Sequence, residues 1–491
     1  MKLDLLYKVE EPVSITPDNT IYNLSLDRTM DMACADVRAK NYFLNVVANP
    51  LTKMENINYR REILFDFLEN KELYYALWDI LGKFIDEESI SGKERKYRYN
   101  ISKSNDDAVS FSNSKQALQM TALTMNRVLD LLKNFNAMLD SYEIKSEGLL
   151  ILKNRVKSLV EAEDFERLKG ICGYFRRITE IESIEACLAL DKDCRIILSK
   201  LLSVNKEKEK ESDGGFFKFI KKKNERTDVN EGGRSSAKLP KISQPLGNTI
   251  LYHAFSHPSK VIDSIINSIF YEFRGLRDQL LFYKAGCKFC SFMDEKKIPY
   301  VFPELVTEPV FRCKGLLDTH LCALFPVASY VIPNDAFLDG EKKGIMVFGE
   351  NNSGKTVYLR SIGTAQLLAQ AGFPVTAETA TIGLRNGVFT QFASGEKEFE
   401  EGNEAGRFEQ EVREIAKVID NSDENSLILF NETFQTTSYA EGADGLYHIL
   451  GYLSRKNTHW VLVSHLSDLR KKFTTGVNNL KTTPGYKLEA E

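Results

Sequence analysis

At 491 residues with 43% hydrophobic content, the chain is long enough for two to four domains with real cores. A net charge of −4 and a pI near 6.0 exclude a global basic field of the kind that advertises nucleic-acid binding, so any such contact must use local patches. No apolar run reaches about 18 residues and Met1-Lys2-Leu3-Asp4 opens no signal segment, so the expected place is the cytoplasm, with no membrane contact and the eight scattered cysteines as free thiols.

The first three-fifths read as mostly helical. Residues 1–23 form an N-terminal arm, irregular around Pro12 and Pro17, and a helical segment then runs from about Leu24 to Val47 and stops at Asn49-Pro50. Ile57, Leu64, Phe67 and Leu68 share one face of the next helix, and Leu73, Leu77 and Ile80 continue after a break near Asn70. Ser89–Ser114 reads as polar and irregular. From Lys115 to Leu139 a long amphipathic helix carries Leu118, Ala122, Met125, Leu129, Leu132, Phe135 and Leu139 at three- and four-residue steps. Leu149–Leu202 is expected to give at least two more helices.

Composition changes between Asn205 and Ser243, where 11 basic against 7 acidic residues give a local charge of +4. The segment has little core-forming content, and reads either as a flexible basic arm on DNA phosphates or as a solvated insertion. Helical pattern resumes over Val261–Lys297 with Ile262, Ile265, Ile269, Phe273, Leu276 and Leu280; Cys287 and Cys290 fall in it as half-buried thiols rather than metal ligands, since no second pair stands at metal spacing. Prolines punctuate the chain to about residue 330. From Gly344 the character is α/β: Ile345–Phe348, Leu427–Phe430 and Trp460–Val463 read as buried parallel strands, and Thr381–Phe392 as a further strand or hairpin.

Gly349-Glu350-Asn351-Asn352-Ser353-Gly354-Lys355-Thr356 fits G-x-x-x-x-G-K-[ST] between an apolar run and a helix-period stretch, the context of a phosphate-binding loop. Glycines let successive N–H groups turn toward phosphate oxygens, and the following helix adds its positive end. Lys355 is then expected to reach the β/γ-phosphates and the Thr356 hydroxyl to ligate Mg²⁺. Asn351, Asn352, Ser353 and Val357 complete the expected nucleotide contacts. Asn431-Glu432 closes a buried strand where a carboxylate can orient or deprotonate an attacking water. His465 closes another, either as a γ-phosphate sensor or as a structural strand-end residue. Gly402–Phe408 opens a helix whose start, with Gly406 and Arg407, is either a second phosphate site or an ordinary cap.

Together with Ala369-Gln370-Ala371-Gly372-Phe373-Pro374-Val375, Ala377-Glu378 and Thr436-Thr437-Ser438, these stretches resemble the ATPase domain of the MutS family of DNA mismatch-repair proteins. Asn49-Pro50-Leu51-Thr52, Ile57-Asn58 and Phe67-Leu68-Glu69-Asn70 are similar to the start of that family's core domain. The resemblance spans about residues 24–470 and is strongest from 344 to 466. It implies an α plus α/β protein: a long-helix core or lever domain (24–330, with the 205–243 insertion) followed by an ABC-type P-loop ATPase domain with a mainly parallel sheet (331–491). It also implies an ATP- and Mg²⁺-dependent ATPase working as a homodimer, with ATP between the loop of one subunit and a signature segment of the other. In these terms Glu432 matches the catalytic acid, His465 the switch histidine, Asn351 the loop asparagine, Lys355 and Thr356 the phosphate and metal ligands, and Phe408 and Glu411 fit the signature helix.

The departures carry consequences of their own. Asn431 stands where the family has a metal-holding aspartate, so weaker Mg²⁺ dependence and slow turnover are expected; Gly406 and Arg407 stand where it has a serine and a threonine, so any trans contact to the γ-phosphate would come from the Arg407 charge instead. No room is seen before residue 24 for mismatch-recognition and connector domains, and the tail after Lys472 looks short for a full dimerisation element. The expected function is therefore an ATP-driven dimer acting on DNA structures rather than mismatches; the alternative is a nucleotide-controlled protein-interaction module with little hydrolysis. A small-molecule kinase using the same loop is disfavoured, because the helical part offers no substrate pocket.

Overall fold

The computed structural model describes residues 3–17, 19–101, 107–177, 183–190, 196–205, 244–325, 330–392, 404–434, 439–473, 475–482 and 487–490; of these, 94–101, 107–114, 177, 183–190, 196–205, 244–254, 404–408, 439, 467–468 and 490 are described as backbone only. The chain forms two compact units. One holds Met1–Leu3, Tyr75–Glu143 and Ile151–Gly275; the other holds Asp4–Tyr74, Ile144–Leu150 and Leu276–Glu491. The helices before residue 180 are α1 (Thr20–Asn23), α2 (Leu26–Ala33), α3 (Val37–Val47), α4 (Met54–Glu69), α5 (Lys71–Ile101), α6 (Asp107–Asp140), α7 (Glu147–Val160) and α8 (Glu163–Arg177).

The first unit is built on α6. Every member of its expected stripe, from Leu118 to Leu139, is buried. Phe135 meets Phe84 and Phe273 at ring-centroid distances of 6.0 and 5.7 Å. Two sequence expectations need correction, the first in this unit and the second in the other. The stretch Ser89–Ser114 is largely helical, as the end of α5 and the start of α6. It has no apolar stripe to announce a helix, but its Lys, Glu and Arg are good helix formers by backbone propensity alone. The two helices expected in Leu149–Leu202 are α7 and α8, and the stretch then ends in an antiparallel pair, β1 (Ser183–Leu190) and β2 (Ile196–Asn205). Short apolar runs do not distinguish a strand from a buried helical segment by periodicity. Val261–Lys297 is helical as expected, as two helices, α9 (Gln244–Phe273) and α10 (Leu276–Glu295), parted at Gly275, whose φ of +91° ends a right-handed helix. Second, in the other unit, the expected Leu24–Val47 helical segment is interrupted at Cys34–Asp36, where the Asp36 side chain accepts from the N–H groups of Arg38 and Ala39 and caps α3. The insertion residues 206–243 lie outside the described residues.

The second unit carries two sheets. Its further elements are β3 (Glu304–Val306), β4 (Phe311–Leu316), α11 (Thr319–Leu324), β5 (Asn334–Leu338), β6 (Gly344–Gly349), α12 (Lys355–Ala371), β7 (Thr379–Gly383), β8 (Gly387–Phe392), α13 (Glu404–Asn421), β9 (Ser426–Asn431), α14 (Tyr439–Arg455), β10 (His459–Val463), α15 (Ser467–Lys472), β11 (Val477–Thr482) and β12 (Glu489–Ala490). The larger sheet has the order β12-β11-β6-β10-β9-β8 and is parallel except for the β11–β12 pair. The expected strands at 345–348, 427–430 and 460–463 are its centre. Both faces are covered, which is why these runs are apolar without alternation. On one face, Met346, Ile428, Phe430, Trp460 and Leu462 pack with Leu446, Leu450 and Leu453 of α14. On the other, α12 lies so close that a Cβ on Gly363 would come within 2.5 Å of Leu429 and 2.6 Å of Leu24.

Thr381–Phe392 is not a hairpin. It divides between β7, in a second sheet of order β3-β7-β4-β5, and β8, at the edge of the large sheet. The N-terminal arm is tied down rather than loose: Lys8 and Val9 donate backbone N–H groups to the Asn56 side chain at 2.8 and 3.0 Å. Further along, the Thr16 hydroxyl accepts from the Val388 N–H at 3.0 Å and the Thr20 hydroxyl donates to the Val388 carbonyl at 3.2 Å. These side chains occupy edge groups of β8 that would otherwise invite another strand. No helix among the described residues is long and apolar enough to cross a membrane.

Candidate functional site

Parallel strands place their carboxyl ends together, and here β6, β10 and β9 lie side by side with Val347, Val463 and Asn431 in register. The segments that leave these ends therefore converge: Gly349–Thr356 after β6, Glu432–Phe434 after β9, and Ser464–His465 after β10. Open α/β sheets hold their ligands at such an end.

The glycine loop needs its sequence. Gly349 (φ +149°), Asn352 (φ +62°) and Gly354 (φ +89°) adopt backbone angles that most L-residues disfavour. A Cβ on Gly349 would also lie 2.4 Å from the Thr482 carbonyl oxygen. Gly354 then leads straight into α12, whose first residue is Lys355. The Lys355 ammonium donates to the carbonyls of Gly349 (2.9 Å) and Glu350 (2.8 Å), so the loop is wrapped around it. Burial pushes the Lys355 pKa down, opposed by the nearby Glu432 carboxylate. Ser353 donates its hydroxyl to the Glu350 carbonyl at 2.7 Å; Asn351 is exposed and Val357 half-buried.

Strand alternation brings in the second group. Leu429 faces α12, and two residues on Asn431 faces the same way, where its Oδ1 accepts from the Thr356 hydroxyl at 2.9 Å. These two oxygens are hard donors of the kind Mg²⁺ prefers, but both are neutral, so phosphate oxygens and water would have to complete the set. Glu432, the next residue, turns out of the strand at φ +57°, with its N–H held by the Val463 carbonyl at 2.9 Å. Its carboxylate accepts from His465 Nε2 at 3.0 Å. A non-glycine residue in this region costs strain of about 1–3 kcal/mol, and such strain gathers at functional sites. Phe434 adds a second instance at φ +63°.

The structure thus brings Gly349, Ser353, Gly354, Lys355, Thr356, Asn431, Glu432 and His465 to one end of the sheet. Gly406 and Arg407 lie in the first turn of α13 and their side chains are outside the described residues, as is Phe408's; Thr436–Ser438 lie outside them altogether. Cys287 and Cys290 are free thiols whose pKa values burial raises, Cys287 to about 12, and no metal-holding cluster occurs among the described residues.

Two groups at this end escaped sequence reasoning. Gln391, buried on β8, accepts a short hydrogen bond from the buried Thr433 hydroxyl and so braces the turn that carries Glu432. Thr482, the last residue of β11, donates its hydroxyl to the Ser353 carbonyl at 2.7 Å. Neither belongs to a motif; a polar residue at a strand end is the only signal either gives.

With this geometry in place, comparison with known proteins gives a consistent answer. The family model for MutS domain V matches residues 345–484. A DNA mismatch repair protein MutS of Prochlorococcus marinus (strain NATL1A) is 30% identical over 170 residues, 33% of this chain and 17% of that protein. An Endonuclease MutS2 of Streptococcus agalactiae serotype Ia is 31% identical over 146 residues, 30% of this chain and 18% of that protein. The similarity covers less than a fifth of either relative's length.

Proposed function

We propose that this chain, which belongs to the MutS family through its residues 345–484, binds and slowly hydrolyses ATP as a homodimer joined through its 331–491 heads. Head closure would move helical levers that engage DNA of a particular structure rather than mismatches. The observation that carries the reading is the glycine loop folded around the Lys355 ammonium, with Thr356 and Asn431 on one side and Glu432 with His465 on the other.

Each residue has a task in it. The loop N–H groups and Lys355 hold the phosphates, Glu432 orients the attacking water and takes its proton, and His465 keeps that carboxylate aimed. Mg²⁺, held by Thr356 and Asn431, would supply charge neutralisation at the phosphates. The partner subunit's α13 start, through Gly406 and Arg407, would close the site. Asn431 offers a carbonyl but no charge, so Asn431→Asp should lower the Mg²⁺ concentration for half-maximal hydrolysis on the order of tenfold and speed turnover. Magnesium titration of steady-state ATPase activity measures this; unchanged curves would remove Asn431 as the cause of slow turnover.

The acidic pI and the short match to DNA-repair relatives keep a second reading in play, a nucleotide-controlled module for a protein partner. Retention of branched or end-bearing DNA across a salt series separates the two, because phosphate contacts give a steep log–log slope. Binding is expected at ~50 mM salt and should collapse by ~200 mM. Its absence at the lower salt, with and without ATP, would leave the protein-partner reading.

A further inference from the structure

Thr482 stands 126 residues beyond Thr356, on a strand whose pattern Val477-Asn478-Asn479-Leu480-Lys481-Thr482 gives no hint of a site. In the fold, β11 runs parallel to β6 and pairs Thr482 with Gly349, the residue at which the glycine loop begins. Two independent contacts follow. The Thr482 hydroxyl donates to the Ser353 carbonyl at 2.7 Å. Its carbonyl and Cγ2 lie where a Gly349 side chain would start, 2.4 and 2.6 Å from an ideal Cβ. Thr482 is buried, and its hydrogen bond to Ser353 is partly shielded from water.

The consequence is set by peptide geometry. Across a trans peptide the C=O of one residue and the N–H of the next point in opposite directions. Fixing the Ser353 carbonyl on Thr482 therefore turns the Gly354 N–H away from β11. The Gly349 and Glu350 carbonyls are already drawn to Lys355. Three loop carbonyls are thus engaged, and a loop whose carbonyls are engaged presents its N–H groups instead. That is the arrangement an anion needs.

We infer that Thr482 is a positioning residue for phosphate binding: its hydroxyl holds the Ser353–Gly354 peptide so that the loop amides are pre-set for a nucleotide's phosphates. This rests on the nucleotide reading above and adds to it a part of the chain that carries no motif. The strand after α15 is, on this account, a component of the site and not only an extension of the sheet.

Titration of ATP into four proteins tests the inference. Thr482→Val keeps Cγ2 over Gly349 and removes only the hydroxyl, and is expected to weaken ATP binding about five- to tenfold, the effect of losing one hydrogen bond. Thr482→Ser should restore near-normal affinity. Asn478→Ala removes a different hydrogen bond of the same strand, from its Nδ2 to the Phe337 carbonyl (2.7 Å), and should leave affinity unchanged. Thr482→Ala, which also empties the space above Gly349, should weaken binding at least as much as Thr482→Val. Full affinity in Thr482→Val and Thr482→Ala, or an equal loss in Asn478→Ala, would overturn the inference while leaving nucleotide binding intact. Absence of ATP binding by the unaltered protein would overturn the nucleotide reading, and this inference with it.

Discussion

Lys355→Ala is expected to abolish measurable ATP binding, a loss of at least about a hundredfold, while the protein stays folded. Lys355 as a residue is 4% exposed, and its ammonium is held by two loop carbonyls, so no mobile surface lysine can replace it. Charged hydrogen bonds contribute about 1.5–3 kcal/mol each, and two of them to phosphate oxygens account for a hundredfold or more. The same lysine now binds two carbonyls of its own loop. A nucleotide must therefore draw it away from Gly349 and Glu350, and the cost of that exchange is already contained in the measured affinity. Truncation returns the Gly349 carbonyl to water while the Glu350 carbonyl keeps the Ser353 hydroxyl, a small penalty beside the loss of the ligand. Isothermal titration with ATP, run beside thermal unfolding of the empty protein, separates the two effects. Binding within tenfold of the unaltered protein would mean that Lys355 does not face the ligand.

The glycine loop was legible because its chemistry demands particular residue types: positions with positive φ need glycine or asparagine, and the amide ring needs a helix directly behind it. The three central strands were legible for a different reason. Burial on both faces leaves uninterrupted apolar runs at 345–348, 427–430 and 460–463 that no exposed segment would carry. What lay beyond reach depends on pairing at long range. Thr381–Phe392 reads as one strand or one hairpin in sequence, yet Gly383 and Gly387 belong to different sheets, because β7 pairs with β3 and β4 while β8 pairs with β9. The Thr482–Ser353 and Thr433–Gln391 bonds join residues separated by 129 and 42 positions, and neither partner's type is unusual. The break at Gly275 was a matter of position only: one glycine inside a helical pattern is tolerated, and its φ of +91° is what marks where one helix ends.

Glu432→Gln should slow ATP hydrolysis by about 10²-fold or more while leaving ATP affinity within a few-fold, because the proton acceptor is lost but the loop is untouched. The backbone at 432 is held by the Val463 carbonyl and the turn after it by Thr433 on Gln391, so the glutamine side chain keeps the carboxylate's position. Its amide oxygen can still accept from His465 Nε2, the bond the carboxylate makes at 3.0 Å. The substitution therefore isolates charge and basicity from shape. Glu432 also supports the charged form of Lys355, so a modest weakening of ATP binding accompanies the change. If ATP draws two heads together, blocking hydrolysis should make the closed form accumulate: light scattering with ATP and Mg²⁺ should show about twice the monomer mass for Glu432→Gln, and a smaller shift for the unaltered protein. Turnover at the normal rate would take Glu432 out of its role. A single mass with and without ATP would separate the chemistry from the dimer, and the lever motion proposed above would lose its cause.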